Sequence, residues 1–139
     1  KPFVKDNDWI LVHDAARPCI KAEDVENLIQ QLENQKIGGL LATKVVDTIK
    51  KSSHQMVEST IERSNLWQAQ TPQMYRFGIL LNALNTAYND GINITDEASA
   101  IEYLGLDSLL VESSKTNIKI TSPDDLALAN FYLNNSSIS

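Results

Sequence analysis

Residues 9–19, WILVHDAARPC, decide how this chain is read. Trp9, Ile10, Leu11 and Val12 make an apolar run with two β-branched members, the composition of a buried strand. The run stops at His13 and Asp14, and Ala15, Ala16, Arg17 and Pro18 follow. In open α/β sheets ligands gather at the carboxyl ends of strands. An acid at that point, followed by side chains small enough to admit a ligand to the backbone, fits a binding site. The same residue types fit a surface turn equally well, with Asp14 as its cap and Arg17 paired to it.

Working outward, KAEDVENLIQQLENQ places Val25, Leu28, Ile29 and Leu32 at helical spacing, and LLATKVV after Gly38-Gly39 reads as a second strand. Strand, helix and strand in that order suggest a parallel βαβ unit. The polar stretch DTIKKSSHQMVESTIERSNLW alternates on its return leg, with Val57, Ser59, Ile61 and Arg63 on one side. It reads as a solvated hairpin arm over about 45–62, projecting from the body. Helices are expected over 22–35, 76–89, 95–104 and 123–134, and a strand over 8–14. The second helix carries Phe77, Leu80, Leu81, Leu84 and Tyr88 in register, ahead of Gly91. Thr95 and Gly105 bound the third. Ser122-Pro123-Asp124-Asp125 starts the fourth, with Leu126, Ala129 and Leu133 on its face before NNSSIS frays. DSLLVESS and NIKIT read as short strands. No linker divides the chain.

Bulk properties narrow the field. The 139 residues suit one domain with a real core, and 42% hydrophobic with 22% charged content is ordinary for a globular protein. A net charge of −6 without a dense basic cluster argues against nucleic acid as the main partner. No apolar stretch approaches the roughly 20 residues of a membrane span, and no signal peptide is visible. One cysteine, Cys19, excludes an internal disulfide and suits a reducing cytosol. The five glycines form neither a dinucleotide fingerprint nor a Walker loop, and His13 and His54 lack ligand spacing.

The remaining candidates are polar residues at element ends. Asp14 has the chemistry of a Mg²⁺ ligand, since that ion takes one or two protein carboxylates and shares its other positions with water and phosphates. Arg17 could grip an anionic oxygen bidentately. Lys119 interrupts the apolar pattern of NIKIT and would ordinarily mark an edge strand. Arg63 would ordinarily be a polar arm residue, and Thr71 and Thr95 caps or turn residues.

Taken together, HDAARPC, VVDT, the ER-x-x-LWQAQTPQ run, ITDEASAIEYLG and NIKIT-x-PDDLALANFYL, in this order, resemble the 2-C-methyl-D-erythritol 4-phosphate cytidylyltransferases of non-mevalonate isoprenoid synthesis. The resemblance runs from about Asp8 to Leu133. It implies a Rossmann-like α/β nucleotide-diphospho-sugar transferase fold, mostly parallel, with a β-hairpin dimerisation arm. It implies a cytoplasmic homodimer that joins CTP and methylerythritol phosphate with release of pyrophosphate. On this resemblance Asp14 holds Mg²⁺ beside the CTP phosphates, and Ala15 lies against the nucleotide. Arg17, Thr71, Thr95 and Lys119 surround the sugar phosphate within one subunit. Thr48 and Arg63 reach the neighbouring subunit's site, and Arg63 with Lys119 positions the attacking phosphate. One departure stands out, because the family's glycine-rich phosphate loop precedes the DAARP strand. Residues 1–139 are therefore expected to be the C-terminal portion of a single cytidylyltransferase domain, inactive alone. A cytidylyltransferase for another polyol phosphate, such as ribitol 5-phosphate, and a non-catalytic dimerisation fragment are the alternatives.

Overall fold

The computed structural model describes residues 3–136. Along the chain these form β1 (Trp9–Val12), α1 (Ala22–Leu32), β2 (Gly38–Lys44), β3 (Ile49–Ser53), β4 (Met56–Ile61), β5 (Trp67–Arg76), α2 (Phe77–Asn89), α3 (Glu97–Tyr103), β6 (Leu109–Glu112) and α4 (Pro123–Asn135). Four strands make the main sheet in the order β1-β5-β2-β6. β6 runs parallel to β2, while β5 is antiparallel to both β1 and β2. Three strands thus point one way and β5 opposes them. β1 and β2 share a direction as expected of a βαβ unit, but they are not neighbours.

Strand β5 is the element that sequence patterning does not announce. WQAQTPQMYR is polar and contains Pro72, which ordinarily argues against a central strand. Its ladder shows how the proline is accommodated. Gln73–Arg76 pair with β1, and Gln73–Tyr75 pair with Leu40–Gly38 of β2. The register then shifts between Leu40 and Ala42, and pairing resumes at Ala69. Gln70, Thr71 and Pro72 fall in that irregularity, so Pro72 owes no ladder hydrogen bond; the Thr71–Pro72 peptide is cis.

Alternation on β2 and β5 divides the core between the two faces of the sheet. Leu40 and Tyr75 pack with Leu80, Ala83, Ala98 and Ile101 under α2 and α3. Leu41 and Met74 pack with Leu28, Leu32 and Val111 beneath α1. Each fully buried leucine here contributes about 1.5–3 kcal/mol of apolar transfer. The two sheet glycines are required by close approach. A Cβ on Gly39 would lie 2.2 Å from the Leu109 carbonyl oxygen of β6, and Gly38 has φ +144° beside Met74 and Tyr75.

Some helix faces differ from the periodicity. In α2 the inward residues are Leu80, Ala83 and Ala87, whereas Leu81 and Tyr88 are exposed. The small alanines let α3 approach closely through Ala98 and Ala100, and this sets the rotation of the helix. α3 is capped by Asp96, one residue after Thr95, in a reciprocal box with Ser99. α4 has the expected box between Ser122 and Asp125, but only Ala129 is buried and Leu126 and Leu133 are exposed. Asn134 and Asn135 remain helical, and the expected fraying beyond Ser136 lies outside the described residues. Residues 117–121 are not a strand. The Ile120 N–H donates to Ala16 O, and the Asn117 carbonyl is taken by Arg17, so neither is free for a ladder. β3 and β4 pair only with each other and form the expected arm.

Candidate active site

The carboxyl end of β1 meets the irregular part of β5. There the Thr71 hydroxyl accepts the Asp14 N–H at 2.9 Å, so Thr71 lies within a strand and acts as a cross-strand tie. Thr71 Oγ1 also lies 3.0 Å from His13 Nδ1, and His13 Nε2 lies 3.0 Å from Arg17 O. A carbonyl oxygen only accepts, so Nε2 is the donor; in the neutral ring Nδ1 then accepts from the Thr71 hydroxyl. His13 thereby fastens both ends of the Asp14–Arg17 turn, which is closed by the Arg17 N–H on Asp14 O at 2.9 Å.

Asp14 Oδ1 accepts the Ala16 N–H at 2.9 Å, and Oδ2 lies 2.8 Å from Lys119 Nζ. The hydrogen bond from Lys119, then that from Ala16, holds the carboxyl below its usual pKa, against a smaller opposing effect of burial. Lys119 is therefore a paired cation at the site. Arg17 does not pair with Asp14. Its guanidinium donates to Asn117 O at 2.7 Å and Ala69 O at 3.5 Å, and Nε is buried without a partner among the described residues. Burial lowers its pKa, with Asp14 acting in the opposite direction; an arginine so placed remains a cation at neutral pH.

Asp14, Arg17, Thr71, Thr95 and Lys119 line one cleft of about 460 Å³. Residues dispersed along most of the chain are thus brought together as expected. Ala15 is exposed on the adjoining turn and does not line the cleft. Thr48 and Arg63 line a second cleft of about 680 Å³ at the root of the arm. Arg63 lies beyond the end of β4, and its guanidinium donates to Val46 O. Within one chain, then, the two arm residues join each other and stay apart from the Asp14 cleft.

Buried amides that sequence reading passed over hold this arrangement. Gln73 Nε2 donates to Asp96 Oδ2 at 2.9 Å, and its Oε1 accepts the Ala98 N–H at 2.8 Å, which fixes the start of α3 and with it Thr95. Asn117 Nδ2 donates to Gln70 Oε1 at 3.1 Å and Thr71 O at 2.8 Å. The signal available was the density of amides in WQAQTPQ, unusual for a strand lying between two others.

Asp14 is the carboxylate expected to meet a metal, and Asp96 and Glu97 line the same cleft. Among the described residues no group of three or more His, Cys, Asp and Glu could form a protein-only cage. The cleft nevertheless mixes the carboxylates of Asp14, Asp96 and Glu97 with the cations Arg17 and Lys119, and one or two carboxylates suffice for Mg²⁺, which takes most of its ligands from water and substrate phosphates. Lys119 already engages Oδ2, so a metal would share Asp14 with that ammonium.

Residues 2–135 match the family profile described as IspD: 2-C-methyl-D-erythritol 4-phosphate cytidylyltransferase. A relative of that name from Ruthia magnifica is 68% identical over 132 residues, covering 95% of this chain and 55% of the relative. One from Vibrio vulnificus strain YJ016 is 50% identical, covering 91% and 54%. The chain thus spans about half the length of the curated relatives it matches. Among solved structures, the Francisella tularensis 2-C-methyl-D-erythritol 4-phosphate cytidylyltransferase superposes with a TM-score of 0.88 at 41% identity, over 94% of this chain and 61% of that one. The enzyme of the same name from Thermus thermophilus gives 0.83 at 28% identity, over 91% and 62%. On the profile match over residues 2–135 and the identity to these relatives, this chain belongs to the 2-C-methyl-D-erythritol 4-phosphate cytidylyltransferase family.

Proposed function

We propose that this chain supplies the sugar-phosphate half of a cytidylyltransferase site that transfers CMP from CTP to 2-C-methyl-D-erythritol 4-phosphate. The observation that carries the reading is the convergence of Asp14, Arg17, Thr71, Thr95 and Lys119 on one cleft. A phosphate oxygen of the sugar attacks the α-phosphorus of CTP, the bond to the β-phosphate bridge breaks, and pyrophosphate leaves. Both reactants are anions, so the reaction needs cations that hold them in line and neutralise charge.

Lys119 suits that task. Its ammonium is half exposed and held by one carboxylate, so an arriving phosphate meets a cation already in place. Arg17 keeps a buried Nε without a partner among the described residues and braces the floor of the cleft through two carbonyls. The hydroxyls of Thr71 and Thr95 mark the sugar side. Asp14 and the Ala15 backbone face the nucleotide, and Mg²⁺ held by Asp14 supplies charge neutralisation on the triphosphate when bound. Thr48 and Arg63 at the arm root enter the site of a second protomer in a two-fold dimer, where Arg63 completes the cation set with Lys119. The setting is the cytoplasm; among the described residues no helix is long and apolar enough to cross a membrane.

Full-length protein supplied with CTP, Mg²⁺ and methylerythritol phosphate is expected to release pyrophosphate and form the CDP-linked sugar alcohol. The same assay with ribitol 5-phosphate should give far slower release. Preference for ribitol 5-phosphate, or no transfer with either acceptor, would overturn the assignment.

A further inference from the structure

We infer that Asn117 is the positioning residue that places Lys119, and does so through a buried amide clamp on β5. The inference rests on the function proposed above and adds a residue to its machinery. Asn117 is 0% exposed and lies two positions before Lys119. Its segment belongs to no sheet, so no ladder locates the lysine. Two attachments flank Lys119 instead. On one side the Ile120 N–H donates to Ala16 O at 2.8 Å, tying the segment to the Asp14 turn. On the other the Asn117 amide directs both N–H bonds to β5, at Gln70 Oε1 and Thr71 O.

The orientation of that amide follows from its partners. Thr71 O can only accept, so the NH₂ group must face it, and Oδ1 points elsewhere. Oδ1 is buried and has no partner among the described residues. Burying an unpaired acceptor is costly; an apolar residue would avoid that cost but would take the donors away from Gln70 Oε1 and Thr71 O. The two donors join the irregular part of β5 to the segment that carries Lys119, which is the link a positioning role requires. The backbone carbonyl of Asn117 receives Arg17 at 2.7 Å. Asn117 thus gathers the β5 irregularity, the guanidinium of Arg17 and the approach to Lys119 at one buried point. Asn117 does not itself line the cleft, so its effect must pass through residues that do.

The test is a double-mutant cycle in the full-length protein, with Asn117→Ala, Lys119→Ala and the pair. Asn117→Ala should lower kcat/KM for methylerythritol phosphate on the order of 10- to 100-fold and leave KM for CTP within about twofold. In the Lys119→Ala background the same change should cost less than about twofold, because the group it positions is gone. Asn117→Asp keeps the shape but turns an oxygen toward two acceptors, so it should lose as much as alanine. Asn117→Ser retains one donor and should lose less; if the alanine variant fails to fold, the serine variant carries the cycle. Losses that multiply in the double variant, or that fall equally on CTP, overturn the inference.

A second arm needs no turnover. In a crystal structure of the Asn117→Asp protein, Lys119 Nζ should lie outside hydrogen-bond distance of Asp14 Oδ2, with a smaller displacement in the Asn117→Ser protein. An unmoved Lys119 in both variants overturns the inference. A wild-type protein without cytidylyl transfer would instead refute the proposed function, and this structural arm would still decide the placement of Lys119.

Discussion

Lys119 and Asp14 are 2.8 Å apart with 51% and 30% of their side chains exposed, so their pairing can be followed by titration. The Asp14 carboxyl is held below its ordinary value near 3.8, first by the Lys119 hydrogen bond. A depressed folded pKa gives stability that is present above the unfolded value and lost as pH falls through the folded one. Lys119→Ala should therefore raise the Asp14 pKa toward its ordinary value in a carboxyl NMR titration, and flatten the loss of stability below about pH 4. In kinetics, Lys119→Ala and Arg63→Ala should impair use of methylerythritol phosphate far more than binding of CTP, while Asp14→Ala changes the Mg²⁺ dependence. Equal effects of all three on CTP alone would contradict this division. Tyr75 gives the opposite sign at alkaline pH. Burial pushes its hydroxyl, hydrogen-bonded to Ser108 at 2.8 Å, up to about 12. Its contribution is complete below the unfolded value near 10 and is lost as pH rises toward the folded value. Ultraviolet titration should show a tyrosine ionisation at about pH 12 that is missing from the Tyr75→Phe protein.

At the scale of elements, β2 and β5 decide the site. Their register shift releases Gln70–Pro72 from the ladder and turns Thr71 toward Asp14, which a regular strand would not do. The other side of β2 depends on Gly39, whose hydrogen leaves room for the Leu109 carbonyl. Gly39→Ala should lower stability by about 2 kcal/mol in denaturant unfolding, because the obstacle is backbone that cannot rotate away. An unchanged midpoint would mean that β6 moves aside freely. The arm raises a different question. A lone two-stranded hairpin is at best marginal in water. β3 and β4 are largely exposed, with Met56 and Val57 among the exposed apolar residues. An arm of this kind gains from a surface to lie against.

At the scale of the whole molecule, the separation of Thr48 and Arg63 from the Asp14 cleft is what a second protomer would resolve. Full-length protein should sediment as a dimer burying well above the roughly 1,000 Å² of a specific interface, and deletion of residues 50–60 should give monomers. A stronger check mixes two inactive proteins. Protomers carrying Arg63→Ala and protomers carrying Lys119→Ala should, after exchange at equal amounts, regain about a quarter of wild-type activity. Half of the dimers would then be mixed, and each mixed dimer would hold one site with both cations intact. No recovery would place Arg63 in its own protomer's site.

The features legible in the sequence were local. Caps and apolar spacing are written within a few residues, so the four helices and the arm were legible, and the motif residues of the cleft could be named in advance. Asp14, Arg17, Thr71, Thr95 and Lys119 then proved to share a cleft. The features that emerged only on folding were non-local. The insertion of polar β5 between β1 and β2 depends on ladder partners far away along the chain. The inward face of α2 depends on how closely alanines let α3 approach, a constraint that apolar periodicity does not encode. The pairing of Lys119 with Asp14 and the diversion of Arg17 to Asn117 depend on buried amides whose partners lie across the fold. Side-chain period is a property of a segment, whereas the satisfaction of buried polar groups is a property of the folded chain.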